Sequence, residues 1–163
     1  MSEAADYLVK LYDLPDSEAI YRKLKEDGVS IQRAMALDRS KILRFIGDNF
    51  DASWVDETTL ALSQQPLTCF LAIRNREVVG FACYDATSKG FFGPTGVKED
   101  LRGQGIGTAL LYRTLEAMRE VGYGYAIIGW VTDAAEFYKK TVGATFIPNG
   151  GPENSVYSNM IDV

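Results

Sequence analysis

Apolar and polar positions alternate with a period that changes along the chain, and each change predicts an element. Residues 7–13 form an apolar run fit for a strand. A helix follows Pro15, with Asp16 as its N-cap and Gly28 as its stop. Residues 30–35 put Ile31, Arg33 and Met35 on one side, as a strand does. Asp38 then caps a helix striped by Ile42, Leu43, Phe45 and Ile46. Residues 49–53 break that pattern, and it resumes over 54–63. Two β-rich runs, 67–73 and 78–84, flank the polar turn Arg74-Asn75-Arg76-Glu77. A second turn at Ser88-Lys89-Gly90 leads to a third strand at Phe91, which predicts an antiparallel meander.

The longest helical pattern comes next. Leu110, Leu111, Leu115, Met118 and Val121 recur at helical spacing, while Arg113, Glu116, Arg119 and Glu120 hold the opposite side. Gly122-Tyr123-Gly124 ends it, and residues 125–130 read as a strand. Asp133 caps a short helix bearing Phe137, Tyr138 and Val142, which Gly143 closes. Residues 144–148 and 155–161 read as two last strands on either side of Asn149-Gly150-Gly151-Pro152. From residue 30 the order is strand, two helices, three strands, helix, strand, helix, two strands, which predicts a mixed α/β sheet.

Composition narrows the chemistry. The 163 residues suffice for one buried core. No apolar run nears the roughly 20 residues of a membrane span, and the first residues lack the basic and apolar stretches of a secretory signal. A cytoplasmic protein without membrane contact is therefore expected. A net charge of −5 speaks against a nucleic-acid partner. The absence of His removes Ser-His-Asp and Cys-His catalytic pairs and every His-dependent metal site. Cys69 and Cys83 are too few for a zinc cluster and lie in apolar runs, so reduced core thiols and no metal are expected. Carboxylates, tyrosine, backbone N–H groups or a bound cofactor must do the work.

Attention then falls on the turn before the long helix, where Gly103, Gly105 and Gly107 crowd together. Two glycines in the first turn of a helix forgo about 1 kcal/mol each against a good helix former. A helix N-terminus offers unpaired N–H groups and a partial positive charge, and glycine keeps side chains out of a phosphate's way. The turn reads as a pyrophosphate cradle. The ATPase phosphate loop needs a Gly-Lys pair, which this chain lacks. The dinucleotide fingerprint Gly-x-Gly-x-x-Gly fails because Thr108 stands where its third glycine belongs. Arg102, Gly105 and Gly107 instead satisfy Arg/Gln-x-x-Gly-x-Gly/Ala, with Val97 five residues ahead. This resembles the acyl-CoA-binding motif of the GNAT superfamily of N-acetyltransferases.

The element order from about residue 30 is that of the GNAT fold. The resemblance implies an N-terminal strand–helix extension, 1–28, packed on an N-acetyltransferase domain, 29–163. It implies acetyl-CoA as co-substrate, with Arg102, Gly103, Gln104, Gly105, Ile106, Gly107 and Thr108 around the pyrophosphate, mostly through main-chain N–H groups. The Val97 backbone is then the main candidate for the pantetheine arm and the thioester carbonyl. Pro94 cannot donate to a ladder, and with Gly93 and Gly96 beside it gives a cause for the bulged strand of that fold. Residues 134–144 resemble a second GNAT segment, which puts Tyr138 in the position of a general acid for the CoA thiolate. Val131 replaces the asparagine common seven residues earlier, and one extra residue precedes Gly143. Many relatives carry a basic glutamate on the bulged strand, but 91–97 holds no carboxylate, so Asp85 is the first substitute and Asp133 the second. Dimers are common among relatives, and a homodimer is an expectation of the resemblance.

The expected activity is transfer of an acetyl group from acetyl-CoA to a primary amine, by direct attack in a ternary complex. A non-catalytic acyl-CoA sensor or interaction domain is the alternative. The acceptor, a small-molecule or peptide amine, is expected over the loop between the first two helices of the fold. There Asp48, Asp51, Asp56 and Glu57 surround Phe50 and Trp54 without a Lys or Arg. An acidic rim attracts a protonated amine, and an aromatic face adds a cation–π contact of about 0.5–2 kcal/mol. Trp54 and Asp51 are thus the candidate acceptor residues.

Overall fold

The computed structural model describes residues 3–162. Met1, Ser2 and Val163, the outermost positions of the two expected units, lie outside them. Among the described residues the chain forms seven strands in one sheet and five α-helices. The strands are β1 (Ala5–Lys10), β2 (Val29–Arg33), β3 (Cys69–Arg74), β4 (Glu77–Tyr84), β5 (Phe91–Val97), β6 (Tyr125–Val131) and β7 (Thr145–Phe146). The helices are α1 (Glu18–Glu26), α2 (Arg39–Asn49), α3 (Ala52–Ala61), α4 (Ile106–Glu120) and α5 (Ala135–Val142). The sheet order is β2-β3-β4-β5-β6-β1-β7, antiparallel except where β5 meets β6. Among the described residues no helix is long and apolar enough to cross a membrane.

Local chemistry accounts for the meander. Asn75 and Arg76 both take positive φ (52° and 64°), which makes the two-residue turn whose twist matches the strands it joins. The hairpin turn is thus two residues tighter than the polar stretch that predicts it. Along β4 the side chains alternate between two cores. Ala82 and Tyr84 join the cluster under α1, α4 and α5, while Phe81 and Cys83 join the one under α2 and α3. Cys69 and Cys83 lie opposite one another as buried free thiols.

Helix α4 covers the first of these faces. Leu110, Leu111, Leu115 and Met118 are buried, each worth roughly 1.5–3 kcal/mol against exposure. The helix comes close because β4 is bare beneath it: a Cβ on Gly80 would lie 3.0 Å from Leu110 Cδ1. Val121, the last member of the predicted stripe, falls just past the helix and is exposed.

Two expectations change at the chain ends. Residues 155–161 are not a strand; they form a 3-10 turn, Val156–Asn159, preceded by another at Pro152–Asn154. The reason is that their natural sheet neighbour is taken. Strand β1 runs antiparallel to β6 from Ala5↔Val131 to Lys10↔Tyr125 and pairs on its other side with β7. The N-terminal segment therefore supplies an interior strand of the sheet as well as helix α1. Asp6 fastens the arrangement, its N–H donating to Gly150 O and its carboxylate accepting from Trp130 N–H and the Ser155 hydroxyl.

Candidate active site

Strand β5 has two neighbours at its start and one at its end. Phe91 and Phe92 pair with Ile127 and Ile128 of β6, and no rung follows. Against β4 the register shifts, because Tyr84 faces Phe92 and Ala82 faces Thr95, so Gly93 and Pro94 together stand opposite Cys83. Gly93 takes φ 113°, open to glycine alone, and Pro94 has no N–H to give a ladder. The strand bulges there and β5 parts from β6, which leaves its far half with a free edge.

A cleft of about 520 Å³ occupies this opening. Its floor is Phe92, Thr95, Gly96 and Val97 of β5. One wall is the loop and first turn of α4, with Arg102, Gly103, Gly105, Ile106, Gly107 and Thr108. Across from it stand Ala134, Phe137 and Tyr138, and Phe50 and Trp54 close the side toward α2 and α3.

The α4 wall is built for an anion. Gly105, the N-cap, has φ 89°, and Gly103 has φ 82°. The first helical bond runs from Ala109 N–H to Gly105 O, so the N–H groups of Ile106, Gly107 and Thr108 lie in the open end of the helix. Gly107 is informative because the protein does not need it bare. A Cβ there would meet nothing nearer than Val97 Cγ2 at 3.7 Å, an ordinary contact, yet the position lines the cleft. Its emptiness suits a ligand that runs along the helix end. Arg102 donates from Nε to Val97 O at 3.2 Å, tying the loop to the strand. Gln104 faces away from the cleft lining; its carbonyl accepts from Lys23 Nζ at 3.2 Å. Helix α1 thus brings a cation to the loop, a contribution the sequence left unassigned.

Tyr138 enters from α5. It is 7% exposed, its ring meets Phe92 edge-on at 6.3 Å, and burial raises its pKa to about 12. Among the described residues no group hydrogen-bonds its hydroxyl, which leaves that O–H for a ligand in the cleft. A neutral phenol that stays protonated through the working pH range is a proton donor.

The acidic candidates separate. Asp85 does not line the cleft; it lies in a different cavity of about 410 Å³ with Tyr84, Lys89 and Tyr123. Its carboxylate accepts from Gly90 N–H at 2.8 Å and the Tyr123 hydroxyl at 2.9 Å, and Lys89 Nζ lies 3.8 Å away. It closes the β4–β5 turn, outside the cleft that holds Tyr138. Asp133 is exposed ahead of α5 and also outside the lining. Asp51 caps α3, accepting from the Ser53 N–H and hydroxyl, which holds its carboxyl below the usual range. Trp54, by contrast, does line the cleft, 5.3 Å from the Phe50 ring and 6.1 Å from Phe81. Phe50 lines it too, and needs Gly96 bare: a Cβ there would lie 2.6 Å from the Phe50 ring.

A sequence profile of the acetyltransferase (GNAT) family matches residues 34–144, through both the glycine loop and Tyr138. The chain belongs to the GNAT family. No curated protein matches its sequence. Similar solved structures include the GCN5-related glucosamine N-acetyltransferase region of a fungal multi-domain GH3 β-N-acetylglucosaminidase, at 14% identity and TM-score 0.72, covering 88% of this chain and 20% of that one. A GCN5-related N-acetyltransferase from Sphaerobacter thermophilus gives 19% identity and TM-score 0.64 over 90% of this chain and 50% of that one. Another from Kribbella flavida gives 18% and 0.57 over 92% and 60%. At these identities the likeness shows the GNAT fold. The chain spans between a fifth and three fifths of the length of these proteins.

Proposed function

We propose that this GNAT domain transfers an acetyl group from acetyl-CoA to a primary amine, by direct attack in a ternary complex. The observation that carries the reading is that one cleft joins the bare open end of α4, the free edge of β5 and the Tyr138 hydroxyl. Gly103, Gly105 and Gly107 and the N–H groups that follow would hold the pyrophosphate, with Arg102 and Lys23 adding positive charge at its rim. The unpaired main chain of β5 near Val97 would bind the pantetheine amides and polarise the thioester carbonyl. Donors aimed at such an oxygen contribute a few kcal/mol to lowering the barrier.

The acceptor amine attacks as the free base. Its lone pair forms the new C–N bond, the C–S bond breaks, and the leaving thiolate takes a proton from Tyr138. Tyr138 regains one from the nitrogen as the amide forms. For a protonated amine the products are the amide, CoA thiol and one proton. The aromatic wall of Phe50 and Trp54 supports a cationic acceptor.

The test is release of CoA thiol when acetyl-CoA meets a panel of amines, measured at low and raised salt. Release that favours diamines and falls with salt is expected. Binding of acetyl-CoA without release from any amine would favour the sensor, and preference for anionic amino acids would sink the cationic acceptor.

A further inference from the structure

The split between β5 and β6 has a second side. Phe92 points to α5 and Tyr138, whereas Phe91, the residue before it, points the opposite way and meets the ring of Tyr157 at 6.4 Å. Tyr157 belongs to the last 3-10 turn and rests on bare backbone: a Cβ on Gly129 would lie 2.1 Å from its hydroxyl. Gly129 follows Ile128, the last residue of β6 in register with β5. The Tyr157 hydroxyl therefore stands over the vertex of the split, on the Phe91 side of the sheet and not on the side of Phe92 and Tyr138. Trp130 meets Tyr157 edge-on at 5.0 Å and takes φ 51°, a left-handed conformation that a bulky residue adopts only when its surroundings impose it. Asp6 imposes it by accepting the Trp130 N–H at 3.1 Å.

Glu57 reaches this point from α3. It lies one helical turn beyond Trp54, so the two share the side facing the sheet. Its carboxylate accepts the Thr87 hydroxyl, and the Tyr157 phenol lies near both groups. Among the described residues no Lys or Arg pairs with Glu57. Burial raises its pKa, Asp56 adds to that, and the Thr87 hydrogen bond opposes it. The titratable groups turned to the cluster are Asp56 of α3, Asp6 of β1 and Tyr157, all of them acidic. A half-buried carboxylate near the Tyr157 phenol and given only a hydroxyl donor lacks a cation.

We propose that Glu57 receives the ammonium group of the acceptor on this face, beside Phe91, Trp130 and Tyr157, and takes the proton that the amine must lose. The proposal rests on the acetyl-transfer reading and names its substrate class, a slender alkylammonium, since the C-terminal turn already covers the vertex. In the step, one N–H bond of the ammonium breaks and its proton passes to the Glu57 carboxylate directly or along Tyr157 and Thr87. The freed lone pair then attacks the thioester from the Phe91 side of the split, and Glu57 later yields its proton to water.

The test is calorimetric titration of 1,4-diaminobutane, with and without acetyl-CoA, into the wild type, Glu57→Gln and Tyr157→Phe, followed by kcat/KM against pH. The wild type should bind the diamine, and Glu57→Gln should weaken it roughly tenfold or more, the scale of a lost charged hydrogen bond. Acetyl-CoA affinity should stay within a few-fold in both variants. The acidic limb of the kcat/KM profile should vanish in Glu57→Gln and return, at lower pH, in Glu57→Asp. Equal diamine affinity in wild type and Glu57→Gln, or no binding to the wild type, overturns the proposal. Should Glu57→Gln fail to fold, an unchanged diamine affinity in Tyr157→Phe and a Glu57→Asp profile identical to the wild type would overturn it instead. Failure of the wild type to release thiol from acetyl-CoA sinks the transfer reading alone, because the titration without cofactor reads Glu57 directly.

Discussion

Ile20 of α1 lies against Gly105 of the cofactor loop so closely that a Cβ on the glycine would fall 2.7 Å from Ile20 Cδ1. Gly105 also has φ 89°, so a substitution there meets strain and a clash together. Gly105→Ala should therefore destabilise the fold by roughly 1–2 kcal/mol. Urea melts would check it, and an unchanged midpoint would show that loop and helix yield freely.

Gly107, two residues on, should behave in the opposite way. Its Cβ has ordinary room, so Gly107→Asp should leave the melt nearly unchanged while a carboxylate now occupies the cradle. Loss of measurable acetyl-CoA binding by calorimetry is expected. Wild-type affinity in that variant would remove the cradle assignment.

Tyr138→Phe should keep acetyl-CoA affinity within a few-fold and lower turnover by roughly 10²-fold, the scale of a positioned acid. The hydroxyl has no partner in the fold to lose, so stability should hardly move. With its pKa near 12, Tyr138 stays protonated through the neutral range, and wild-type kcat should show no loss there from its ionisation. Steady-state kinetics across pH would decide.

Lys23→Glu carries a prediction about the first helix. Its ammonium donates to the Gln104 carbonyl of the glycine loop and lies 3.7 Å from the Asp27 carboxylate, and reversing the charge should weaken acetyl-CoA several-fold at low salt and less at high salt. Equal affinity at both salts would confine α1 to a structural role.

Glu57 gives a stability prediction with a definite sign. Its folded pKa lies above the ordinary 4.5, so the folded protein holds this proton more tightly than the unfolded chain. The contribution is full below 4.5 and is lost as pH rises through the folded value. Glu57→Gln removes that slope, and its stability relative to the wild type should climb as pH rises from 4.5 through the folded value. Denaturant melts over that range would test it; parallel curves for the two proteins would contradict the shift.

These residues also show which parts of the molecule were legible in the sequence. The β3–β4 hairpin and α4 could be read because their periods, 2 and 3.6, are carried by consecutive side chains. The cradle could be read because its glycines violate helix propensity locally. Residues 155–161 have the alternation of a strand, but whether they pair depends on β1, which holds the place beside β6. The surroundings of Asp85 could not be read because closeness in sequence to the bulge does not fix direction: at φ 53° its carboxylate accepts from Gly90 N–H in its own turn. The cluster of Glu57, Thr87 and Tyr157 gathers three segments, the first two already 30 positions apart, and no local pattern announces it. Only the spacing of Glu57 three residues after Trp54 hinted that the two share a face.

The interior position of β1 has a kinetic side. Asp6 finds Trp130 across 124 positions and Ser155 across 149. Strand β1 leaves the ribosome well before β6 and β7, and must therefore wait for more than a hundred further residues before either of its edges is covered. At roughly 5–20 residues per second that interval is on the order of ten seconds. During it the meander from β2 to β5 can assemble around α4 from nearer contacts, leaving a gap beside β6 into which β1 closes last. Strand β1 and the turns around Gly150 and Ser155 would then lock the sheet together in one late step, and the face that bears Trp130 and Tyr157 would come into being only at that moment.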